Sequence, residues 1–178
     1  MSPRFEIVEG KRQHCGIIAR RLRVDHRQAA ERAGANIHRE IIECFSQSAF
    51  CKAWLIDGQL AALGGVIGTL ANSTGMVWLA LSEGSARYPK AIITEARRQL
   101  YGLMQTKREL RASLFDDDEA SIRLAIFLRF QILGAAWDGP AETKAGRRLL
   151  AREIAGNAEA RIAVGKILMI PMSYKELD

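Results

Sequence analysis

A run of three apolar strands, joined by short turns and followed by a helix, limits most strongly what this chain can fold into. Apolar residues fill 51–56 and 60–70, and Asp57-Gly58 stands between them. Asp-Gly between two apolar runs is a strong signal for a tight β-hairpin. The polar, glycine-containing segment 71–75 then leads to a third apolar run, 76–81. The sequence therefore predicts an antiparallel meander of three strands.

Shorter elements precede the meander. Alternation of apolar and polar residues over 5–9 predicts a strand, and apolar residues at helical spacing predict a helix over 11–22. A second helix is expected over 26–46, with Asp25 as its N-cap. Gly34 weakens that helix locally, because glycine has a low helix propensity.

A crossover unit follows the meander. Pro89 suits the first turn of a helix over 89–105. A short strand is expected over 110–115, parallel to the third strand of the meander, because a helix connects the two. The next helix is expected over 120–133 and stops at Gly134.

The last part of the chain predicts three more elements. These are a short strand over 135–138, a helix over 140–154 and a final strand over 163–174. Pro171 lacks an N–H donor, which places the final strand at a sheet edge or next to a bulge. In the central strand of the meander, Gly64-Gly65 indicates a bulge or a close approach of backbones.

Composition excludes several classes of protein. The chain has 178 residues, 48% of them hydrophobic, which suits one domain over 1–178 with a single core. No run of 18 apolar residues exists, so no membrane span is expected, and residues 1–6 do not predict a signal peptide. Cys15, Cys44 and Cys51 form no CxxC pair, which favours free thiols in a reducing compartment. The formal charge of +6 permits a nucleotide cofactor, a nucleic acid or an acidic protein surface as a partner.

The predicted order β-α-α-β-β-β-α-β-α-β-β resembles that of the GNAT N-acetyltransferase fold. Segment 54–65 is similar to the family's hairpin pattern of Asp-Gly followed by apolar residues and glycine, and segment 128–135 is similar to its Arg-Leu-Tyr-Glu-Lys-Leu-Gly-Phe motif. The residues from Trp78 to Arg98, with Phe115-Asp116, resemble compact GNAT-like proteins of tailed bacteriophages, which are acetyltransferases or internal virion proteins. The resemblance implies an α+β fold with a mixed, mostly antiparallel sheet of about seven strands and helices on both faces.

The resemblance also implies a site for acetyl-CoA. Backbone groups of the fourth strand would hold the pantetheine arm, and the following loop would hold the pyrophosphate. The positions that match are Leu79, Ala80 and Leu81 on the strand, and Gly84, Ser85, Ala86, Arg87 and Lys90 in the loop. This loop departs from the family pattern, because it has one glycine, a negative charge at Glu83, and at Pro89 a residue without an N–H.

The family's usual general acid is a tyrosine four residues before the glycine of the Leu-Gly-Phe motif. Phe130 stands at that position, and phenylalanine has no proton to donate to a leaving thiolate. Tyr88 is the other candidate phenol.

Two clusters of polar residues have a structural and a functional interpretation. The acidic run 116–119 is interpreted as a helix N-cap with first-turn carboxylates, the alternative being a general base or an amine-binding patch. His14, His26 and His38 lack the spacing of metal ligands, so they are expected to be solvated or packed singly, and no metal site is predicted.

Three functions remain open at this point. The first is an acetyl-CoA-dependent N-acyltransferase acting on a small-molecule or protein amine in a bacterial cytoplasm. The second is a catalytically inactive virion structural or assembly protein with the same fold, whose partners would be virion proteins or further copies of itself. The altered loop and Phe130 favour this second function. The third is nucleic-acid binding through the basic N-terminal helices, which carry Arg20, Arg21, Arg23, Arg27 and Arg32.

Overall fold

The computed structural model describes residues 3–69, 71–115, 117–135, 149–151, 161–163 and 167–171. The elements in the first half of the chain are β1 (Phe5–Glu9), α1 (Arg12–Arg20), α2 (Val24–Arg32), α3 (Ile37–Gln47), β2 (Ser48–Ile56), β3 (Gln59–Ile67) and β4 (Thr74–Leu81). They are followed by a 3₁₀-helix (Glu83–Arg87), α4 (Pro89–Met104), β5 (Glu109–Leu114), α5 (Glu119–Phe127), β6 (Phe130–Ala135), β7 (Leu149–Ala151), β8 (Arg161–Ala163) and β9 (Ile167–Pro171).

Seven of the strands form one mixed sheet in the order β1-β2-β3-β4-β5-β9-β6. All neighbours in this sheet are antiparallel except β4 and β5, which are parallel and connected through α4. The expected mostly antiparallel sheet of about seven strands is confirmed, as are the meander and the parallel crossover. The short strands β7 and β8 pair only with each other.

The turn between β2 and β3 has the backbone conformation that Asp57-Gly58 predicts. Both residues have positive φ angles, 50° at Asp57 and 74° at Gly58. Positive φ at both central positions gives the twist that a two-residue hairpin needs. The Asp57 carboxylate also accepts a hydrogen bond from the N–H of Arg4, at 2.8 Å, and so connects the turn to the start of β1.

The two glycines of β3 lie where neighbouring backbones come close. A Cβ at Gly64 would be 2.7 Å from the carbonyl oxygen of Trp78, and one at Gly65 would be 2.5 Å from that of Phe50. No side chain fits at such a distance, so the close approach predicted at Gly64-Gly65 is confirmed.

Helices cover both faces of the sheet. On one face, α1 and α3 bury Cys15, Ile18 and Ile41 against alternate residues of β2, β3 and β4. On the other face, α4 and α5 bury a second apolar cluster, whose helical members include Ile92, Ala96, Leu100 and Ala125. Opposite faces of one sheet are filled in this way because successive strand residues point to opposite sides.

The single helix expected over 26–46 is instead two helices. Helix α2 ends at Arg32 and α3 begins at Ile37, with Gly34 between them at a φ of +71°. A left-handed residue ends a helix, so glycine here acts as a break rather than a weak point. The N-cap of α2 is Arg23, and Asp25 lies in the first turn.

The helix expected over 120–133 is also shorter. It ends at Phe127, because Arg129 adopts a left-handed φ of 69° and the chain continues as β6 from Phe130. The strand expected over 135–138 therefore begins earlier, and residues 136–138 lie outside the described ones.

The C-terminal predictions are only partly covered by the described residues. The helix expected over 140–154 lies for the most part outside them, but Leu149–Ala151 is a strand and not helical. The last strand, β9, is confirmed over Ile167–Pro171. The strand is not at an edge of the sheet, because it lies between β5 and β6. The other expected alternative was a bulge next to the strand, and its neighbour β6 has a register shift between Ile132 and Gly134.

Candidate active site

Strands β4 and β5 separate part of the way along their length. Their pairing ends at Val77 and Ala112, although β4 continues to Leu81 and β5 to Leu114. On its other edge, β5 remains paired with β9 from Ala112 to Leu114. A gap therefore opens in the middle of the sheet, where two neighbouring strands no longer exchange hydrogen bonds.

The backbone of β4 presents free polar groups to this gap. Ser82 donates its N–H to the carbonyl of Ala61 on β3 at 2.9 Å, so alternate residues of β4 bond to β3 and those between them face the other way. Leu79 is one of those between, and its N–H and carbonyl have no partner on β5. Leu81 faces the same side; its carbonyl accepts a hydrogen bond from the N–H of Arg23 at 3.0 Å.

A cavity of about 410 Å³ passes through the gap. It is lined from both sides of the sheet, by Glu40 and Cys44 of α3 on one face and by Gln99 and Leu103 of α4 on the other. A volume of a few hundred cubic ångströms is typical of small-molecule sites. The cavity therefore has walls from both faces of the sheet.

The cavity wall contains an unsatisfied polar atom. The hydroxyl oxygen of Ser113 on β5 is buried and is the one buried side-chain polar atom without a hydrogen-bond partner among the described residues. Ser113 lines the cavity, as do Leu79 and Leu81. Because buried polar atoms are normally hydrogen-bonded, this hydroxyl and the free Leu79 backbone fit a ligand with amide groups that lies along β4.

A buried carboxylate stands at one end of the cavity. Asp118 is the N-cap of α5 and is 0% exposed. Its oxygens accept hydrogen bonds from the N–H of Ser121 at 3.0 Å and from the hydroxyl of Ser121 at 2.6 Å. The N-cap interpretation of the acidic run 116–119 is thus confirmed at Asp118, whose further partners no sequence pattern predicts.

Those further partners come from helix α2 and the residue before it. The guanidinium of Arg23 lies 3.1 Å from one oxygen of Asp118, and Nδ1 of His26 lies 3.0 Å from the other. The expectation of a solvated or singly packed histidine is wrong for His26, because it pairs with Asp118. Burial acts to raise the pKa of Asp118, but hydrogen bonds from His26 and Ser121 outweigh it and lower the pKa to about 2. Arg23, His26 and Ser121 all line the cavity.

The turn after β4 is a 3₁₀-helix and not an open loop. The hydroxyl of Ser85 is buried and donates to the carbonyl of Ser82 at 2.7 Å. A Cβ at Gly84 would meet nothing closer than the Ser82 hydroxyl, at 3.6 Å, so this position does not require glycine. Helix α4 begins immediately afterwards, with Pro89 in its first turn.

No family model and no curated protein matches this sequence. Solved structures do match it. They include the spermidine N-acetyltransferase from Vibrio cholerae in complex with CoA and spermine, with a TM-score of 0.58 and 11% identity over 98% of each chain. They also include an acetyltransferase of the GNAT family from Streptococcus pneumoniae, with a TM-score of 0.51 and 12% identity over 94% of this chain and 98% of that one. The chain has the GNAT fold.

A third GNAT-fold match is the ribosomal L7/L12 alpha-N-protein acetyltransferase. Its TM-score is 0.56, with 11% identity over 94% of this chain and 90% of that one. The three alignments cover 90% or more of each chain. At identities this low, the match establishes the fold alone.

The GNAT resemblance assigns cofactor contacts to eight residues, and the structure brings only part of this set together. Leu79, Ala80 and Leu81 line the cavity. Ser85 is buried in the turn, and the others are exposed on the turn or the start of α4, namely Gly84, Ala86, Arg87 and Lys90. None of these five residues lines the cavity. Arg87 and Lys90 are nevertheless available to an anion outside it.

The two residues considered for the acid role in a GNAT mechanism lie in different places. Phe130 is 6% exposed at the start of β6 and lines the cavity. Tyr88 is half-buried and packs against the apolar cluster that α4 covers, outside the cavity lining. Neither position therefore presents a phenol to the cavity.

Membrane-spanning helices and metal-binding clusters are both absent from the described residues. None of their helices is both long enough and apolar enough to cross a membrane. Among the same residues, no group of three or more histidine, cysteine or acidic side chains is arranged to hold a metal ion.

Proposed function

We propose that this protein is an acetyl-CoA-dependent N-acyltransferase that acts on an amine. The observation that carries the proposal is the gap between β4 and β5, with a cavity that is lined from both faces of the sheet. Two reactants that must meet at one carbonyl carbon would enter such a cavity from opposite sides. Holding them there in the right orientation supplies much of the catalytic effect in transfer reactions of this kind.

The chain's own groups suit the two halves of the donor molecule. The free N–H and carbonyl of Leu79 match the amides of a pantetheine arm, and the hydroxyl of Ser113 offers a further hydrogen bond. Arg87 and Lys90 are exposed beside the N-terminus of α4, where a pyrophosphate would meet both positive charge and the helix dipole. Acetyl-CoA supplies an activated thioester when bound. Backbone N–H groups of β4 would stabilise the negative charge that develops on its carbonyl oxygen.

The amine would approach from the face covered by α2 and α3. Solved structures with this fold are named for different acceptors, among them spermidine and the N-terminus of a ribosomal protein. We therefore test three classes of amine: spermidine, a free amino acid and a short peptide with a free N-terminus. Incubation of each with acetyl-CoA, followed by mass spectrometry of the amine and a free-thiol assay, detects the transfer directly.

A pair of variants at Ser113 makes this experiment specific to the gap. Ser113→Phe fills the cavity between β4 and β5, so transfer should be lost, whereas Ser113→Ala should retain most of it. Circular dichroism of both variants confirms that they fold. If none of the amines gains an acetyl group and acetyl-CoA produces no thermal shift at millimolar concentration, the proposed function is wrong.

A non-catalytic role is the second candidate, and the turn after β4 is the observation that favours it. The hydroxyl of Ser85 is already committed to Ser82, and Phe130 offers no proton to a leaving group. The resemblance to phage proteins suggests a structural or assembly role in a virion, with virion proteins or further copies of the chain as partners. Mass spectrometry of purified virions tests that role, and absence of the chain from them would count against it.

A further inference from the structure

We propose that His26, oriented by Asp118, is the general base that takes a proton from the acceptor amine. This inference rests on the proposed N-acyltransferase function and names a residue for the deprotonation of the amine, a step different from the acid role considered for Phe130 and Tyr88. It starts from the contact between His26, which lines the cavity, and the fully buried carboxylate of Asp118. An imidazole held by a buried carboxylate is an arrangement that enzymes use to move protons.

Three hydrogen bonds hold the carboxylate of Asp118 in place, so it can orient the imidazole of His26. Asp118 is fully buried and accepts hydrogen bonds from the backbone and side chain of Ser121 and from Arg23. It is ionised at neutral pH, since its pKa is about 2. An ionised carboxylate accepts hydrogen bonds and cannot donate them. Nδ1 of His26, 3.0 Å away, must therefore carry the hydrogen.

The tautomer follows from that hydrogen bond. A neutral imidazole with its hydrogen on Nδ1 has a lone pair on Nε2, and this nitrogen can accept a proton. Among the described residues, none forms a hydrogen bond with Nε2. The side chain of His26 is 19% exposed and lines the cavity. The free basic nitrogen therefore belongs to a residue that a ligand in the cavity can reach.

The ring is also held in orientation by an aromatic contact. The edge of one ring meets the face of the other between His26 and Phe115, with centroids 5.5 Å apart and an interplanar angle of 84°. Phe115 directly follows β5, so His26 lies at the end of the gap. The charged groups beside the imidazole are Asp118, 3.0 Å from Nδ1, and Arg23, which pairs with the same carboxylate.

A purely structural role for this pair would be to join α2 to α5. Arg23 alone already joins them through its 3.1 Å ion pair with Asp118 and its hydrogen bond to the Ser121 hydroxyl. A structural contact of this kind does not require a histidine whose side chain lines a cavity. The general-base role accounts both for the contact of His26 with Asp118 and for the position of His26 at the cavity.

In the proposed step, Nε2 of His26 accepts one proton from the ammonium form of the acceptor. The neutral nitrogen then forms a bond to the thioester carbonyl carbon, and the carbon–sulfur bond breaks. The second proton of that nitrogen leaves with the sulfur, which departs as the CoA thiol. The products are the N-acetylated amine, CoA and a protonated His26, which returns its proton to solvent.

The test compares His26→Gln with His38→Gln, in which an exposed histidine of α3 is changed in the same way. With the best amine found among the three classes, His26→Gln should lower kcat by about 100-fold or more, while the KM for acetyl-CoA stays unchanged. The decrease in kcat/KM that the wild type is expected to show at acid pH should be absent in His26→Gln. His38→Gln should behave as the wild type does.

Two further measurements separate catalysis from structure. Added imidazole should partly restore His26→Ala, since a small base can enter the space left by the ring, whereas a lost structural contact is not rescued in this way. Asp118→Asn should shift the ¹⁵N spectrum of His26 away from the Nδ1–H tautomer and lower kcat, because Asp118 acts as a positioning residue.

The outcomes distinguish the two proposals. Wild-type protein that transfers acetyl groups, with His26→Gln equally active and with the same pH profile, overturns the assignment of His26 alone. Wild-type protein that neither binds acetyl-CoA nor acetylates any amine overturns the proposed function, and the assignment of His26 with it. Loss of kcat in His26→Gln with intact acetyl-CoA binding supports both.

Discussion

Val77 of β4 pairs with Ala112 of β5, and this is the last pair before the two strands separate. Beyond it, Leu79 directs its backbone N–H and carbonyl into the gap and not towards another strand. Backbone N–H and carbonyl groups at the edge of a strand are normally paired or covered, because an unpaired edge can form hydrogen bonds with a strand of another chain. In this protein the gap lies inside the sheet, and we propose that a ligand takes up those groups.

Removing the N–H of Leu79 should weaken the binding of acetyl-CoA. In Leu79→Pro no hydrogen bond of the sheet is lost, because that N–H faces the gap. We expect affinity to fall by about tenfold, the worth of one hydrogen bond. Calorimetric titration with acetyl-CoA measures this. Leu79→Val, which retains the N–H, is the control and should bind as the wild type does.

Charge at the start of α4 should contribute to the binding of the cofactor's phosphates. Arg87 and Lys90 are exposed, so each should contribute only about threefold in affinity, less at high salt. Titration of Arg87→Ala and Lys90→Ala with acetyl-CoA should show this loss, and titration with pantetheine, which lacks the pyrophosphate, should not. Arg12→Ala, an exposed change on α1, serves as the control. Equal losses with both ligands would contradict a role in phosphate binding.

Asp118 should make stability depend on pH at the acid end. The pKa of this carboxyl is about 2 in the folded protein, against an ordinary value of 3.8. A carboxyl whose pKa is lower in the folded state stabilises the fold above its unfolded pKa and loses that effect as pH falls through the folded one. The contribution is about 2 kcal/mol. It should be complete above pH of about 4 and should disappear towards pH 2.

Urea unfolding of wild type and Asp118→Asn at several pH values measures this contribution. The difference in unfolding free energy between them should be largest near neutral pH and should shrink between pH of about 4 and 2. Asp117→Asn changes the exposed neighbouring carboxylate and should show a much smaller difference. If the difference in unfolding free energy between wild type and Asp118→Asn does not vary with pH, Asp118 does not stabilise the fold through its ionised form.

Lys107 should stabilise the connection between β3 and β4. Its side chain is 2% exposed, and its ammonium group donates to the carbonyls of Thr69 at 2.7 Å and Asn72 at 2.5 Å. Lys107→Met leaves these carbonyls without their donor, at a cost of about 1–3 kcal/mol. Urea unfolding measures the loss. Arg108→Met, at the exposed next position, should change stability by much less, and an equal effect would contradict the assignment.

Features that depend on neighbours in sequence could be predicted from the sequence. Asp57-Gly58 specifies its turn because both residues tolerate positive φ, and Pro89 marks the start of α4 because its missing N–H is not needed there. The helix expected over 120–133 is present as α5, but its predicted end is wrong, because the apolar residues after Phe127 suit a helix and a strand equally well. Pairing of Phe130–Ala135 with the distant strand β9 decides in favour of the strand.

In the candidate site too, some residues could be predicted from the sequence and others could not. The family resemblance led to Leu79, Ala80 and Leu81, because strand order alone places them at the gap. It did not lead to His26 and Asp118, since a pair of residues so far apart in the chain leaves no local pattern. Asp118 could be recognised only as an N-cap. His26 was expected to lie in one helix that continues over 26–46 without a break. Only the folded chain brings α2 and α5 together.

The most direct test of the account is amide hydrogen exchange at Leu79, measured with and without acetyl-CoA. In the free protein this N–H has no partner on β5, so it should exchange much faster than that of Ala80, which faces β3. Saturating acetyl-CoA should slow exchange at Leu79 and leave Ala80 nearly unchanged. An amide of Leu79 that is equally protected in the free protein, or whose exchange acetyl-CoA does not alter, would contradict the proposal that the gap holds the cofactor.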